Sequence, residues 1–345
     1  MKIYVPNYYI EFKCIAEKCR DNCCIGWGID IDENTLERYK AHKGKYSEEL
    51  LSTIDFSSGG SFICDSLGRC KNLDGDGLCK IIKNLGEGYL CQICRDHPRY
   101  FNCEYGRCEG GLGLACEEAA RMILALDRLP EIVETESEEV GYLFEDESLF
   151  AFCARDYLLE VAFDENLSAM DKLMRLMSLA FHTDELLFDI NCGTCEDSAF
   201  AKEMLIEKPT SPLNIRDFIT ESLGIFTNLD LLTEDFGTGL SASLTAAKEK
   251  YEEFIAFLDG EGKSILSPLL YYFIHRYFLS AEGHLLDNMW LCIALTLAVA
   301  AEIFASDKSA AAAIVAKDFS KNIEYSTDNI SMLIERIENI PIYLS

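Results

Sequence analysis

Cysteine is the residue type with the most chemistry to offer in this chain, and it is unevenly placed. Twelve of the sixteen cysteines fall within the first 116 residues: Cys14, Cys19, Cys23, Cys24, Cys64, Cys70, Cys79, Cys91, Cys94, Cys103, Cys108 and Cys116. The leading group, Cys14-x4-Cys19-x3-Cys23-Cys24, puts four sulfurs within eleven residues. They cannot all be inert core thiols on one regular element. Thiolates are soft ligands suited to zinc, copper(I) and iron–sulfur clusters, so this spacing points to a metal or cluster centre. Three further segments look built to supply ligands. Cys70 and Cys79 bracket Asp74-Gly75-Asp76-Gly77, a turn that would fold the two sulfurs toward each other. Cys91-x2-Cys94 runs into Arg95-Asp96-His97-Pro98-Arg99, and Cys116 precedes a long helical pattern.

The elements that must position these groups change character along the chain. Residues 1–125 are rich in Gly and Cys, with turn signals at Ser58-Gly59-Gly60 and from Gly106 to Gly113, and read as a loop-dominated module pinned by metal. Within it, Ile29 to Tyr39 reads as a strand end and then a helix, with Asp32-Glu33-Asn34-Thr35 as its start signal. Gly110-Gly111-Leu112-Gly113 reads as turn glycine rather than a nucleotide loop, because no convincing strand precedes it. A helix begins at Glu117 and stops near Pro130; the acidic run Glu131 to Glu147 is expected to be a linker or a solvated helix face. From Leu149 onward apolar residues recur at three- and four-residue steps, with Pro209, Pro212 and Pro268 dividing helices. The fold class is therefore mainly α, with the cysteine-rich module at 1–125 followed by an all-α helical bundle over 126–345.

Composition bounds the function. A hydrophobic content of 49% belongs to a globular protein with a real core. No signal peptide is read at the N-terminus, so a cytoplasmic protein is expected, whose reduced thiols bind metal rather than form a disulfide framework. The best membrane candidate, Trp290 to Ala305, is short and interrupted by Glu302, and reads as a buried core helix. Residues 1–130 hold 17 basic and 20 acidic side chains and the rest 14 and 39, for a net charge of −28. Such a surface repels nucleic acid and attracts basic partners, including lysine-bearing protein segments, although ordinary solubility accounts for it equally well.

From Phe12-Lys13-Cys14 through Cys19-Arg20-Asp21-Asn22-Cys23-Cys24-Ile25-Gly26-Trp27, the sequence resembles the opening of the flagellin lysine-N-methylase family. Later pieces agree in order: Cys70-x2-Leu73, Leu78-Cys79, Leu85-Gly86-Glu87 with Cys94, Pro98-Arg99, and Leu114-Ala115-Cys116-Glu117. The front half is also similar to a wider group of double-cysteine domains thought to chelate zinc or iron. The resemblance covers about residues 1–125 and is faint beyond. Lys71 and Glu117 stand where the family usually has proline, and the chain is short for it. The resemblance implies an S-adenosylmethionine-dependent methyltransferase with a [4Fe–4S] cluster, making N-methyllysine on flagellin. The matching cysteines are Cys14, Cys19, Cys23, Cys24, Cys70, Cys79, Cys94 and Cys116; Cys64, Cys91, Cys103 and Cys108 lack a counterpart.

Eight sulfurs exceed the four that one cubane needs, so either two sites exist or some of these cysteines are structural. Cys19, Cys23, Cys70, Cys79 and Cys94 converge more easily than Cys14. Cys153 and Cys292 lie in apolar helical stretches and read as core thiols, and Cys192-x2-Cys195 is a metal-like spacing that is weak alone. Neither Cys-x3-Cys-x2-Cys nor Gly-x-Gly-x-x-Gly after a strand occurs, so a methyl donor would bind in some other way, for instance by chelating a cluster iron that lacks a protein ligand. Arg95 and Arg99 are candidates for the donor's carboxylate. Trp27 either stacks on its adenine or caps the module's small core. Tyr89, Tyr100, Asp96 and His97 lie near a ligand cysteine and could take the proton that a lysine amine must lose; for His97 the favoured reading is a structural loop histidine. The rival readings are a zinc or iron chelator or cluster scaffold without catalysis, and an interaction module with purely structural zinc.

Overall fold

The computed structural model describes residues 2–20, 22–57, 59–136, 149–191, 214–280, 284–306 and 311–340. Six strands and fifteen α-helices occur among them. Strands β1 (Lys2–Pro6), β2 (Ile54–Asp55), β3 (Ser61–Phe62), β4 (Arg99–Glu104), β5 (Arg107–Leu112) and β6 (Ile132–Glu136) all lie in the first 136 residues. The short helices among them are α1 (Asn7–Glu11), α2 (Glu33–Ala41), α3 (Ser47–Ser52), α4 (Lys80–Leu85), α5 (Gln92–Asp96) and α6 (Glu117–Leu124). From Leu149 on, every described element is a helix: α7 (Leu149–Ala162), α8 (Ala169–Asn191), α9 (Ile215–Ser222), α10 (Glu234–Glu249), α11 (Tyr251–Asp259), α12 (Lys263–Tyr277), α13 (Leu285–Ser306), α14 (Ala312–Ile323) and α15 (Thr327–Glu338). The protein is mainly α.

The four-stranded sheet has the order β4-β5-β1-β6, with β1 parallel to β5 and antiparallel to β6. This corrects two sequence readings. Residues Ile132–Glu136, expected to be linker or solvated helix, pair with β1 along its whole length, from Lys2↔Glu136 to Pro6↔Ile132. Their alternation is hard to hear because only Val133 and Thr135 are half-buried, as suits an edge strand. Gly110 and Gly111 are strand residues of β5, not turn residues. A Cβ on Gly111 would stand 2.4 Å from the Tyr100 ring paired opposite it, so glycine here makes room for that side chain. The turn of the β4–β5 hairpin falls earlier, at Tyr105 and Gly106, both with positive φ.

Asp32 caps α2 by accepting from Thr35 N at 2.9 Å, as its start signal implies. The same carboxylate accepts from Gln92 N at 2.9 Å, tying α2 to the start of α5. A small apolar cluster around Ile29, Leu36, Tyr39, Leu50 and Ile81 fills this part of the chain and includes buried Cys70 and Cys91.

The large core lies among the helices. Helix α13 is its axis, packed against α8, α10, α12 and α15. It is long and apolar enough to cross a membrane by length and composition, yet most of it is buried inside the protein. Pro268, expected to divide helices, sits inside α12. Every residue from Ile265 to His275 is buried, and that burial outweighs the roughly 3 kcal/mol an interior proline costs. Cys292 is a core thiol, its Sγ 3.2 Å from Phe273 O. Pro209, Pro212, Cys192 and Cys195 lie outside the described residues.

The sheet is fixed to the helices by buried charge. Glu109 on β5 forms a two-pronged ion pair with Arg155 of α7 and also meets Arg107 Nη2 at 3.0 Å. Burial pushes its carboxyl up, but Arg155, His275 and Arg107 outweigh this and hold it at about 2. Beside it, Tyr100 OH and His275 Nδ1 are 3.0 Å apart. A second bridge joins Leu114 N to Tyr272 OH at 3.2 Å, and Tyr272 OH to Glu324 at 2.9 Å.

Candidate functional site

Backbone pairing brings the cysteine segments together. Gly26 N donates to Gly68 O at 3.0 Å and Cys70 N donates to Cys24 O at 2.8 Å, so the Cys23-Cys24 turn lies against the strand-like run ending at Cys70. A side chain at Gly68 would be strained, since a Cβ would stand 3.3 Å from the Gly26 backbone and φ is +71°. The Asp74 turn does fold its flanks together: Asp74 N donates to Leu78 O, and Leu73 bridges Cys79. Asn22 clamps both ends, with Nδ2 donating to Gly77 O at 2.7 Å and Oδ1 accepting from Cys24 N at 2.9 Å.

Cys79, Cys91 and Cys116 are the N-cap residues of α4, α5 and α6. Helix N-terminal N–H groups favour a thiolate over a thiol. Burial nevertheless pushes Cys79 up against the pull of the Ile82 and Ile81 amides. Cys116 rises to about 11 by burial, with Cys23 and Cys14 adding repulsion. Cys24 and Cys94 are driven far up, each chiefly through its partner thiol, Cys23 and Cys91 respectively, and then by burial. Mutual repulsion also links Cys24 with Cys79 and Cys70, and Cys94 with Cys24 and Cys79.

Of the sulfurs read as ligands, Cys23, Cys24, Cys70, Cys79 and Cys94 therefore share one neighbourhood. Cys116 interacts with both Cys23 and Cys14. Cys14 is exposed, its Sγ facing Ala16 N at 3.4 Å, and Cys19 Sγ meets Glu117 Oε2 at 3.7 Å. Cys91, which the sequence left without a counterpart, is buried in the middle of the group, and its cap position ahead of a short helix is the signal that would have found it. Cys64 lies beside Cys70, whereas Cys103 and Cys108 form a disulfide across β4 and β5.

The sulfurs are held as neutral thiols by their surroundings, and a thiophilic cation is the kind of group that would let them ionise together. Among the described residues no three His, Cys, Asp or Glu side chains form a ready-made coordinating group.

Against this group lies a cavity of about 270 Å³, walled by Cys23, Gly26, Trp27, His97 and Ala115 on one side and by Asp230, Leu231, Leu232, Lys321, Asn322, Tyr325 and Ser326 on the other. Helix α6, which starts at Cys116, packs on α14, which carries Lys321, and so sets the two walls facing. Trp27, His97 and Tyr325 form a ring triangle with centroids 5.9, 5.9 and 6.0 Å apart. Trp27 is held by its Nε1 donating to Cys23 O at 2.5 Å. It also packs against the small apolar cluster, so the core role read for it holds while one part of it faces the cavity. Burial, then Lys321, lowers His97 to about 4, so its ring is uncharged at neutral pH. Arg95 and Arg99 do not line the cavity. Arg95 faces Asp96 at the surface, and Arg99 lies over the Tyr9 and Phe12 rings. The cation present there is Lys321, which belongs to a distant helix that sequence reading could not associate with the cysteines. Tyr89 and Tyr100 also lie elsewhere, accepting from Tyr39 through its carbonyl and meeting His275 respectively.

The fold and site define a mainly helical protein whose cysteines converge beside an aromatic-walled cavity. No family model matches the chain, and no solved structure matches it. Lysine-N-methylases of Salmonella typhimurium (strain LT2) and Salmonella choleraesuis (strain SC-B67) are each 32% identical over 126 residues, 34% of this chain and 31% of theirs. The flagellar biosynthetic protein FliU of Salmonella muenchen is 32% identical over 126 residues, which cover 75% of it. The chain belongs to the family of FliU. It spans about a third of the length of the lysine-N-methylases it matches.

Proposed function

We propose that this protein is a protein-lysine N-methyltransferase acting on flagellin, with S-adenosylmethionine as methyl donor and a [4Fe–4S] cluster held by its cysteines, in the cytoplasm. The observation that carries the reading is the wall shared between the thiol group and the cavity, at Cys23, together with relatives named for lysine methylation. Cys23, Cys24, Cys70, Cys79 and Cys94 are the sulfurs that would hold the cluster, with Cys91 added. When bound, it would supply a Lewis-acidic, redox-active iron next to the cavity. The chain's own part is to line the cavity with Trp27, Leu231, Leu232 and Tyr325, beside an uncharged imidazole at His97.

Iron and sulfide analysis of oxygen-free protein tests the cofactor: equimolar zinc with no iron would sink the cluster and favour a chelator. Incubation with donor and flagellin tests the reaction, read as increments of about 14 Da on lysines, a methyl replacing a hydrogen. Unmodified flagellin in the presence of a fully loaded cluster would overturn the activity.

A further inference from the structure

We propose that the Cys103–Cys108 disulfide is a redox-responsive clamp, which exchange with a small dithiol opens, loosening the tip of the β4–β5 hairpin from the helices that hold it. It is the one disulfide among the described residues, and neither of its cysteines belongs to the thiol group beside the cavity.

The two sulfurs differ in surroundings. Cys103 is exposed, whereas Cys108 is 1% exposed and packs with Ile3 and Val5 of β1. An incoming thiolate therefore meets Cys103, with Cys108 as the leaving group. The two cysteines are five positions apart and already paired across the hairpin. A cross-link that closes so short a loop gains least for the stability of the whole fold. Its effect is local, on the end of the hairpin.

The place of the bond in the ladder gives it a consequence. The next pair is Asn102↔Glu109. Asn102 Nδ2 donates to Arg276 O of α12 at 2.6 Å, and Glu109 holds Arg155 of α7. One step the other way Glu104 pairs with Arg107, whose guanidinium lies over the Tyr4 and Phe152 rings at 3.9 and 4.8 Å. The clamp thus sits between the contacts that fix the tip to α7 and α12. The opposite end of the hairpin opens on the cavity. Strand β4 follows His97 and β5 leads to Ala115, both of which line it, and Gly113 N donates to Pro98 O between them.

The exchange balances without further reagents. A thiolate of the dithiol attacks Cys103 Sγ, the protein S–S bond breaks, and Cys108 leaves with the electron pair and takes up a proton. The second thiolate of the reductant then displaces Cys103, which is protonated in turn, and the reductant ends as a cyclic disulfide. Two electrons and two protons pass to the protein.

The test uses the oxygen-free, cluster-loaded protein equilibrated with mixtures of reduced and oxidised dithiothreitol, then blocked with N-ethylmaleimide and digested without reduction. Trypsin cutting after Arg99, Arg107 and Arg121 releases Tyr100–Arg107 joined to Cys108–Arg121 only while the bond is closed. The joined peptide should vanish as the reduced fraction rises and return on reoxidation. Brief trypsin treatment of the native protein should cut after Arg107 roughly 10- to 40-fold faster in the reduced form, the loop-closure entropy released at the tip. Cys103→Ser should be cut at the fast rate whatever the mixture. A joined peptide that persists in excess reductant would make the bond a fixed tether, and one absent from every mixture would make the pair a plain dithiol. Equal cutting in both redox states, or a redox response retained by Cys103→Ser, would likewise overturn the proposal. None of these measurements depends on methyl transfer.

Discussion

Asn72 shows how much rests on single side chains between the cysteines. Its buried amide accepts from Tyr46 OH and donates to Thr53 Oγ1, both at 2.9 Å, and Nδ2 also leans on Cys70 Sγ at 3.9 Å. Asn72→Ala leaves those groups short of partners in the interior and should cost about 1–3 kcal/mol. A urea midpoint equal to that of the wild type would show that the amide does not hold this loop. Gly111 is the complementary case, a residue required for what it lacks. Gly111→Ala should push the Tyr100 ring aside and break its contact with His275. The expected result is a cooperative unfolding transition at lower denaturant, and an unchanged one would mean that β4 shifts freely.

Between elements, the decisive contact is that of β5 with α7. Arg155 is 2% exposed and surrounded by Glu109 and Asp156, so its charge is tolerable only while Glu109 remains ionised. Glu109→Gln keeps the shape and removes the charge. It leaves Arg155 and Arg107 facing an amide, and a loss of about 3–5 kcal/mol is expected, as when one partner of a buried pair is removed. Because β5 also carries the pairing to β1, and the chain continues from it to Cys116, the same variant should lower iron content in oxygen-free preparations. Iron retained at full occupancy despite lost stability would separate the sheet anchor from the cysteine group. Tyr272 works in parallel, accepting from Leu114 N and donating to Glu324.

Across the whole molecule, protons link these contacts to solution conditions. Burial lowers His275 to about 4, with Arg155 assisting and Glu109 opposing, against 6.5 for the unfolded chain. Below 6.5 the unfolded state binds a proton there that the folded state refuses, so stability is lost as pH falls from 6.5 through 4. Glu109, held at about 2 against 4.5, contributes stability that is present above 4.5 and lost as pH falls toward 2. Urea midpoints should thus be level above pH 6.5 and decline below it, and His275→Gln should flatten the upper part of that decline. A midpoint that rises on acidification would contradict the assignment. The net charge of −28 acts at longer range: association with a lysine-bearing protein should slow as salt is added, which stopped-flow mixing can measure.

What the sequence determined alone is what depends on near neighbours. The start of α2 at Asp32, the Asp74 turn, the helical periodicity after Leu149 and the core helix around Trp290 were all legible, because capping, turn chemistry and the 3.6-residue repeat are local. Of the sulfurs that the sequence favoured, Cys19, Cys23, Cys70, Cys79 and Cys94, the last four lie together with Cys24, whereas Cys19 faces Glu117; Cys91 was not among them, since its place in the group comes from the packing of α5. The tertiary structure decided the rest. Strand β6 is visible only as the partner of β1, and Gly110 and Gly111 declare themselves strand residues only beneath Tyr100, because glycine carries no side-chain pattern of its own. Above all, the cavity joins Cys23, Trp27 and His97 to Asp230, Lys321 and Tyr325, groups separated by more of the chain than any local rule spans. Only the packing of α6 on α14 brings them face to face.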